Sequence, residues 1–423
     1  MKFNKEKIKN SALIFSWGLY DLANQFFVLN IVSLYFIRWL TLEKKMPELF
    51  YSAAFGISNL FIAALGPILG AFSDLSGRRR PFLIYLTLLS VIFTMALGLS
   101  ENIILALVFF AIANFGCQAA SVFYNALMKN ISSQRNIGLV SGIGKMLGYT
   151  GAIIALQITK PIVLESGYRA TFFPTGIFFL LFALPCMIFI KDTAAKENTA
   201  YETGDGSGIP VSLKIRQALT ALKATVLNIN KFPGLADFLK GSFFGLCAVN
   251  TVIVFMSIYA TRVFKLDENQ VINLISFSTL FAILGSFFSG LLSDRFGHRN
   301  CFIAVFFLWV FCFLGGALGR NNVIYWAVGA LAGLSLGATW VVSRALAIKL
   351  VPREKMGEVF GLFNLIGYIA AIIGSLFWGV IVWALSPLAE LGYRIALASQ
   401  ILFILCGIIF LLRIPSKESL NHA

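Results

Sequence analysis

Twelve apolar runs of about 20 residues each, separated by short charged gaps, make up nearly the whole chain. Runs of that length are long enough to cross a bilayer, and in lipid every backbone amide must be paired within the protein. Continuous apolarity, rather than alternation, excludes a barrel and leaves helices. The runs are Ala12–Leu40, Phe50–Ser73, Phe82–Leu99, Asn102–Met128, Ile137–Ile158, Ala170–Ile190, Leu239–Arg262, Val271–Ser293, Cys301–Leu318, Val323–Lys349, Gly357–Leu385 and Tyr393–Leu412. Only 13% of the 423 residues are charged, about half the fraction usual in soluble domains. Soluble enzymes, disordered scaffolds and disulfide-rich folds are therefore excluded. The six cysteines sit singly, with no Cys-x-x-Cys pair to suggest zinc or disulfides. The expectation is an all-α membrane protein with 12 transmembrane helices.

The net charge of +15 does not point to nucleic acid, because the basic residues occupy the gaps between spans instead of one soluble patch. With the N-terminus inside, one set of gaps holds Arg78, Arg79, Arg80, Lys129, Arg135, Arg295, Arg299, Lys349 and Arg353, and the other set is poorer in Lys and Arg. That bias predicts both termini in the cytosol. The basic start runs straight into a full-length span, so no cleavable signal peptide is expected.

One long polar stretch interrupts the pattern, dividing the chain into 1–190, a linker at 191–238, and 239–423. Within the linker, Val211, Ile215, Ala218, Leu219, Leu222 and Val226 share a helical face, which suits an amphipathic helix at the cytosolic interface. The favoured reading of the same pattern is a plain connecting helix with no regulatory role. The two six-helix halves repeat. Gly70-x-x-x-Asp74-x-x-Gly77-Arg78-Arg79 matches Gly290-x-x-x-Asp294-x-x-Gly297-x-Arg299 at an offset of 220. Gly148-Tyr149 matches Gly367-Tyr368 at 219, and Ser33-x-Tyr35-x-x-Arg38 matches Ser257-x-Tyr259-x-x-Arg262. Duplication about an axis along the membrane normal lets two similar bodies rock around a site between them.

The loop at Asp74 resembles the signature of the major facilitator superfamily, and Asp294 carries a second copy. A narrower resemblance lies at Trp17-Gly-Leu-Tyr20-Asp21-Leu-Ala23-Asn24, which is similar to the start of the vacuole-effluxer branch, relatives of an autophagy-related vacuolar amino-acid exporter. Tyr124-Asn125-Ala-Leu-Met, the glycine run from Gly138 to Tyr149, and Ser343-Arg344-Ala-Leu with Phe360-Gly361 resemble further signatures of that branch. The chain departs from them at Met128-Lys129-Asn130 and at Lys145. The resemblance implies the major facilitator fold and secondary transport of amino acids or similar zwitterions and carboxylates, with export favoured.

Ionisable groups at membrane depth cost about 2.5–3.5 kcal/mol each on insertion scales, and they face a cavity or a partner. Asp21 is about ten residues into the first span, and Trp17, Tyr20, Asn24 and Gln25 lie on its side of the helix. This polar, aromatic stripe is expected to bind substrate, with Asp21 as the proton-coupling group; a role in holding helices together is the alternative. Lys145 in span five is expected to approach Asp21, with substrate or a proton competing for the pair, or else to snorkel to the surface. Arg344 suits a substrate carboxylate or a cytosolic gate latch. Asn364 and Tyr368 are added because they match Lys145 and Tyr149 in the repeat. The loops Gly70, Asp74, Gly77, Arg78, Arg79 and Gly290, Asp294, Gly297, Arg299 are expected to be conformational switches, with Arg80 alone read as an anchor. Glycines of span five (Gly138, Gly142, Gly144, Gly148, Gly151) and span ten (Gly329, Gly333, Gly337) permit close helix approach and are expected to mark moving seams, though packing without motion gives the same pattern. Bends are expected at Gly66-Pro67 and Pro185.

The stretch ending Gly144-Lys145 lacks the first Gly and the Ser/Thr of a P-loop, so no nucleotide site follows. With histidines only at His298 and His422, neither a metal, a cofactor nor an enzyme is expected. The reading is a monomeric carrier of a small solute, with possible partners limited to substrate, protons and the bilayer of a bacterial inner membrane. A ligand sensor built on a transporter scaffold, or a facilitative carrier of another polar metabolite, is the alternative.

Overall fold

The computed structural model describes residues 2–76, 79–131, 137–192, 232–350 and 356–415. Gly77 and Arg78, the side chain of Asp74, and the amphipathic stretch 211–226 lie outside the described residues. Twelve helices among the described residues are long and apolar enough to cross a membrane. Helix α1 begins at Lys2, and its crossing part is Ser11–Glu43. The others are α2 (Glu48–Ser76), α3 (Arg80–Leu99), α4 (Ile103–Leu127), α5 (Ile137–Ser166), α6 (Phe172–Phe189), α7 (Leu235–Arg262), α8 (Glu268–Phe296), α9 (His298–Leu318), α10 (Asn322–Lys349), α11 (Met356–Ala384) and α12 (Glu390–Arg413).

Local chemistry sets the helix ends. Asn102 and Asn321 cap α4 and α10 through their side-chain oxygens. Asp267 and Gln270 form a reciprocal capping box at α8. The α8–α9 turn is made by Gly297 at φ +87°, a conformation that L side chains rarely adopt. Helix α5 outruns its apolar sequence because Thr159 and Lys160, which end the apolar run, have partners. Thr159 is buried and donates to the Tyr35 hydroxyl, and Lys160 donates to Asn273. Two stretches of α1, Val28–Leu34 and Trp39–Glu43, are π-helical, a wider winding that hydrophobic periodicity does not disclose.

Helices α1–α6 pack among themselves and so do α7–α12, giving two lobes. The lobes meet through α2 with α11, α5 with α8, and the π segment of α1 with α7. Small residues bring helices together inside each lobe. A Cβ on Gly151 would lie 2.8 Å from the Leu22 backbone of α1, and one on Gly333 would lie 2.0 Å from the Ser278 carbonyl of α8. The glycine seams read from the sequence are therefore seams within lobes (α1 with α5, α8 with α10), not the sliding surface between them. Close backbone approach without water is the reason for them.

Twelve crossings return the chain to its starting side, here called the terminal face; the opposite side is the far face. At the terminal face, basic side chains cap helix ends in both lobes. Arg80 donates to the Met187 and Ile188 carbonyls at the end of α6, and Arg299 donates to Leu411 and Leu412 at the end of α12. Each places a cation at the negative end of a helix dipole. Arg80 is thus a structural cap, correcting its reading as a mere anchor. Asp192 in turn accepts from the backbone amides of Arg79 and Arg80, a cap that its linker-like surroundings hide in the sequence. Asp294 is largely exposed, with His298 4.0 Å away on the next turn.

Candidate functional site

A cavity of about 550 Å³ lies between the lobes. Its walls take Asp21, Asn24, Gln25, Lys145 and Tyr149 from the first lobe, and Arg344, Asn364 and Tyr368 from the second. The sequence did not single out Gln118, Ser121, Asn59 or Asn250, which also line it; each is one polar residue in an apolar helix, a pattern shared with many packing sites.

Trp17 and Tyr20, expected at the cavity, are not there. Trp17 donates from its indole to the Tyr124 carbonyl at 3.1 Å and stacks on the Tyr124 ring at 4.5 Å. Tyr20 stacks on the other side of the same ring system and shares a 2.6 Å hydrogen bond with Thr87. Both are buried inside the first lobe. At 100° per residue the stripe from Tyr20 to Gln25 covers about 140° of the helix, too wide to face one cavity. Its Gln25 edge faces the cavity, and its Tyr20 edge fastens α1 to α3 and α4.

Asp21 and Lys145 meet. The ammonium lies 3.0 Å from Oδ2 and 3.3 Å from Oδ1 of the carboxylate. Asp21 is 9% exposed and Lys145 50%, so the pair has a dry end within α1 and a wet end in the cavity. Gly148, one turn from Lys145 on α5, leaves the room the carboxylate occupies: a Cβ there would sit 3.5 Å from Asp21 Cγ. Asn24 accepts a long contact from the Cys117 thiol at 3.7 Å. Across the cavity, Arg344 is exposed to the cavity and has no hydrogen-bond or ion-pair partner among the described residues. The latch reading of Arg344 thus finds no partner in this conformation.

Among the described residues, most hydrogen bonds and ion pairs that join the lobes cluster at the far face; Tyr149 of α5 with Ser286 of α8 is an exception deeper in the bundle. Buried Arg38 of α1 pairs with Glu268 of α8 at 2.6 Å, and donates to the Ser257 carbonyl and the Thr261 hydroxyl of α7. Tyr168, in the turn between α5 and α6, donates to the same Glu268 oxygen at 2.7 Å. Burial pushes the Tyr168 phenol up to about 12, so it stays a neutral donor. A second set repeats this with the lobes exchanged. Buried Glu48 of α2 accepts from Tyr393 of α12, while Arg262 of α7 donates to the Thr41 carbonyl at 3.4 Å and faces both. Ser257 donates to the Ser33 carbonyl, and Ser52 donates to the Ser375 carbonyl. Among the described residues the lobes part towards the terminal face: a Cβ on Gly361 of α11 would meet nothing within 4 Å, and Asn364 is exposed.

Two similar six-helix lobes, sealed on one side and parted on the other around a shared, mostly apolar cavity with a few polar groups, define a membrane transporter of the major facilitator type. Comparison with known proteins agrees. The chain is 25% identical over 429 residues to the uncharacterized MFS-type transporter YxiO of Bacillus subtilis, covering 96% of this chain and 95% of that one. It is 26% identical over 188 residues to a Na(+), Li(+), K(+)/H(+) antiporter of Planococcus maritimus, covering 43% and 42%. Its fold matches the crystal structure of the nucleoside transporter NupG with a TM-score of 0.72 at 14% identity, over 97% of this chain and all of that one. Residues 35–423 match the family model described as vacuole effluxer Atg22 like. The chain belongs to that family.

Proposed function

We propose that this protein is a secondary active carrier, not an enzyme, that moves small solutes bearing a carboxylate, amino acids or similar compounds, by alternating access. The observation that carries the reading is the cavity itself. Cationic groups from both lobes, Lys145 and Arg344, converge on one space that is closed at the far face and reachable from the terminal face. A carboxylate placed there would accept hydrogen bonds from the guanidinium and compete with Asp21 for Lys145. Rocking the lobes about it then exposes the site on the other side. The apolar walls, among them Val28, Leu29, Ile253 and Leu336, suit an aliphatic or aromatic body.

The charge bias of the loops supports a cytosolic terminal face in a bacterial cytoplasmic membrane, and the family supports export. Proton coupling through Asp21 is part of the reading: the proton would arrive once substrate has drawn Lys145 away. Counterflow of labelled amino acids into proteoliposomes, with and without an imposed pH gradient, tests both parts. Uptake against preloaded substrate is expected, steepened by the gradient. No counterflow for any carboxylate sinks the carrier reading, and indifference to the gradient sinks the coupling.

The Planococcus relative favours a second reading, exchange of monovalent cations for protons. Such a cation needs oxygen ligands free to hold it, while Asp21, the one carboxylate at the cavity wall among the described residues, is engaged by Lys145. Sodium-driven pH change inside the same vesicles would favour that reading over ours.

A further inference from the structure

Formal charge in the cavity does not balance. Among the described residues, the ionised side chains on its wall are Asp21, Lys145 and Arg344. Asp21 and Lys145 cancel at 3.0 Å within the first lobe, which leaves the Arg344 guanidinium of the second lobe with no counter-ion of its own. From this excess of one positive charge we infer that the preferred cargo carries a net negative charge, an organic monoanion with an apolar body, and that Arg344 is the group that selects it. The inference narrows the carrier reading above and rests on it.

The same excess makes lobe closure depend on cargo. With the terminal face open, water solvates Arg344. When the lobes close on that side, the guanidinium is carried into a shrinking, mostly apolar space, where an unpaired charge is costly. Asp21 is the only carboxylate on the wall among the described residues, and sharing it between two cations still leaves the closed space one charge positive. A bound monoanion, as long as Asp21 is ionised, brings the sum to zero and replaces the lost hydration with bidentate hydrogen bonds. A zwitterion brings its own ammonium and leaves the imbalance as it was. The loaded carrier therefore crosses and the empty carrier lags, so exchange of anion for anion outruns net flux by about tenfold or more.

Three ligands that share one side chain separate these cases: N-acetylleucine (−1), leucine (0) and leucinamide (+1). Binding is read on the purified full chain by quenching of tryptophan fluorescence, since Trp309 and Trp340 line the cavity, and by thermal shift. The expected order is N-acetylleucine, then leucine, then leucinamide, with at least about tenfold between the first two. Arg344→Gln is expected to abolish that gap, whereas Arg344→Lys, which keeps the charge and loses the fork, retains part of it. In vesicles, Arg344→Gln is expected to bring net flux up towards exchange. Leucine or leucinamide binding as tightly as N-acetylleucine to the unaltered protein overturns the inference, as does binding of none of the three. The two readings fail separately. Anion-selective binding without counterflow removes the carrier reading alone, and counterflow without anion selectivity removes the charge inference alone.

Discussion

At Asp21 the carboxylate is nearly enclosed while its partner Lys145 stands half in water. Such a pair sits between two regimes: exposed pairs contribute about 0.2–1 kcal/mol, while stripping the partner from a buried charge costs about 3–5 kcal/mol. Lys145→Ala leaves Asp21 as the uncompensated member and is expected to lower transport about tenfold or more and to reduce the apparent melting temperature. Adding Asp21→Asn removes the stranded charge and is expected to restore part of the melting temperature. A double-mutant cycle on thermal unfolding in detergent measures this; strictly additive effects would show that the 3.0 Å contact carries no coupling. That these two residues meet was legible from the sequence, because a Lys and an Asp at similar depth in an apolar bundle have few other ways to lower their cost. That Trp17 and Tyr20 turn away was not legible. Whether a ring on the edge of a stripe faces a void or a neighbour depends on where Tyr124 arrives from α4, and a single helix pattern holds no such information.

Among the elements, the glycines sort by the space behind them. A methyl group on Gly148 would make ordinary contact with Asp21 at 3.5 Å, whereas one on Gly151 would press on the α1 backbone, and one on Gly333 on the α8 backbone. Gly148→Ala is therefore expected to fold and to disturb chiefly the Asp21 carboxylate. Gly151→Ala and Gly333→Ala must push whole helices apart, at about 1–3 kcal/mol or more. Monodispersity on size exclusion and the apparent melting temperature read the contrast; equal behaviour of the three would contradict the packing described here. The twelve helices were plain in the sequence, since lipid admits no other use for such apolar runs. The π turns of α1 were not, because a change of winding leaves the composition of the run untouched. Nor were the caps by Arg80 and Asp192: a gap rich in cations looks the same whether those cations orient the chain or bind carbonyls.

For the molecule as a whole, duplication explains the far-face seal. Glu48 and Glu268 stand at the same offset of 220 as the two Gly-x-x-x-Asp loops, each opening the second helix of its half. Arg38 and Arg262 close the matched ends of α1 and α7, and Tyr168 and Tyr393 begin the last helix of each half or precede it by one turn. The repeat of Arg38 and Arg262 was visible in the sequence, but its consequence was not: each Arg crosses to the other lobe, so one inherited cluster occurs twice with the roles of the lobes exchanged. The two copies are not equal, since Arg38 holds its Glu directly at 2.6 Å while Arg262 reaches a carbonyl at 3.4 Å. Opening the far face must break both, and the Arg38 copy holds more of the resistance. Met256 lines the cavity beneath this seal, so Met256→Cys in a cysteine-free background reports its opening through a thiol reagent that cannot cross membranes. Applied from the far side, labelling is expected to rise several-fold with Glu268→Gln, less with Glu48→Gln, and most with both, because a charge-assisted bond is about twice as strong as a neutral one. Labelling that ignores Glu268→Gln would mean that the seal is held by the helix contacts of α1 with α7 and of α2 with α11, and not by the paired charges laid over them.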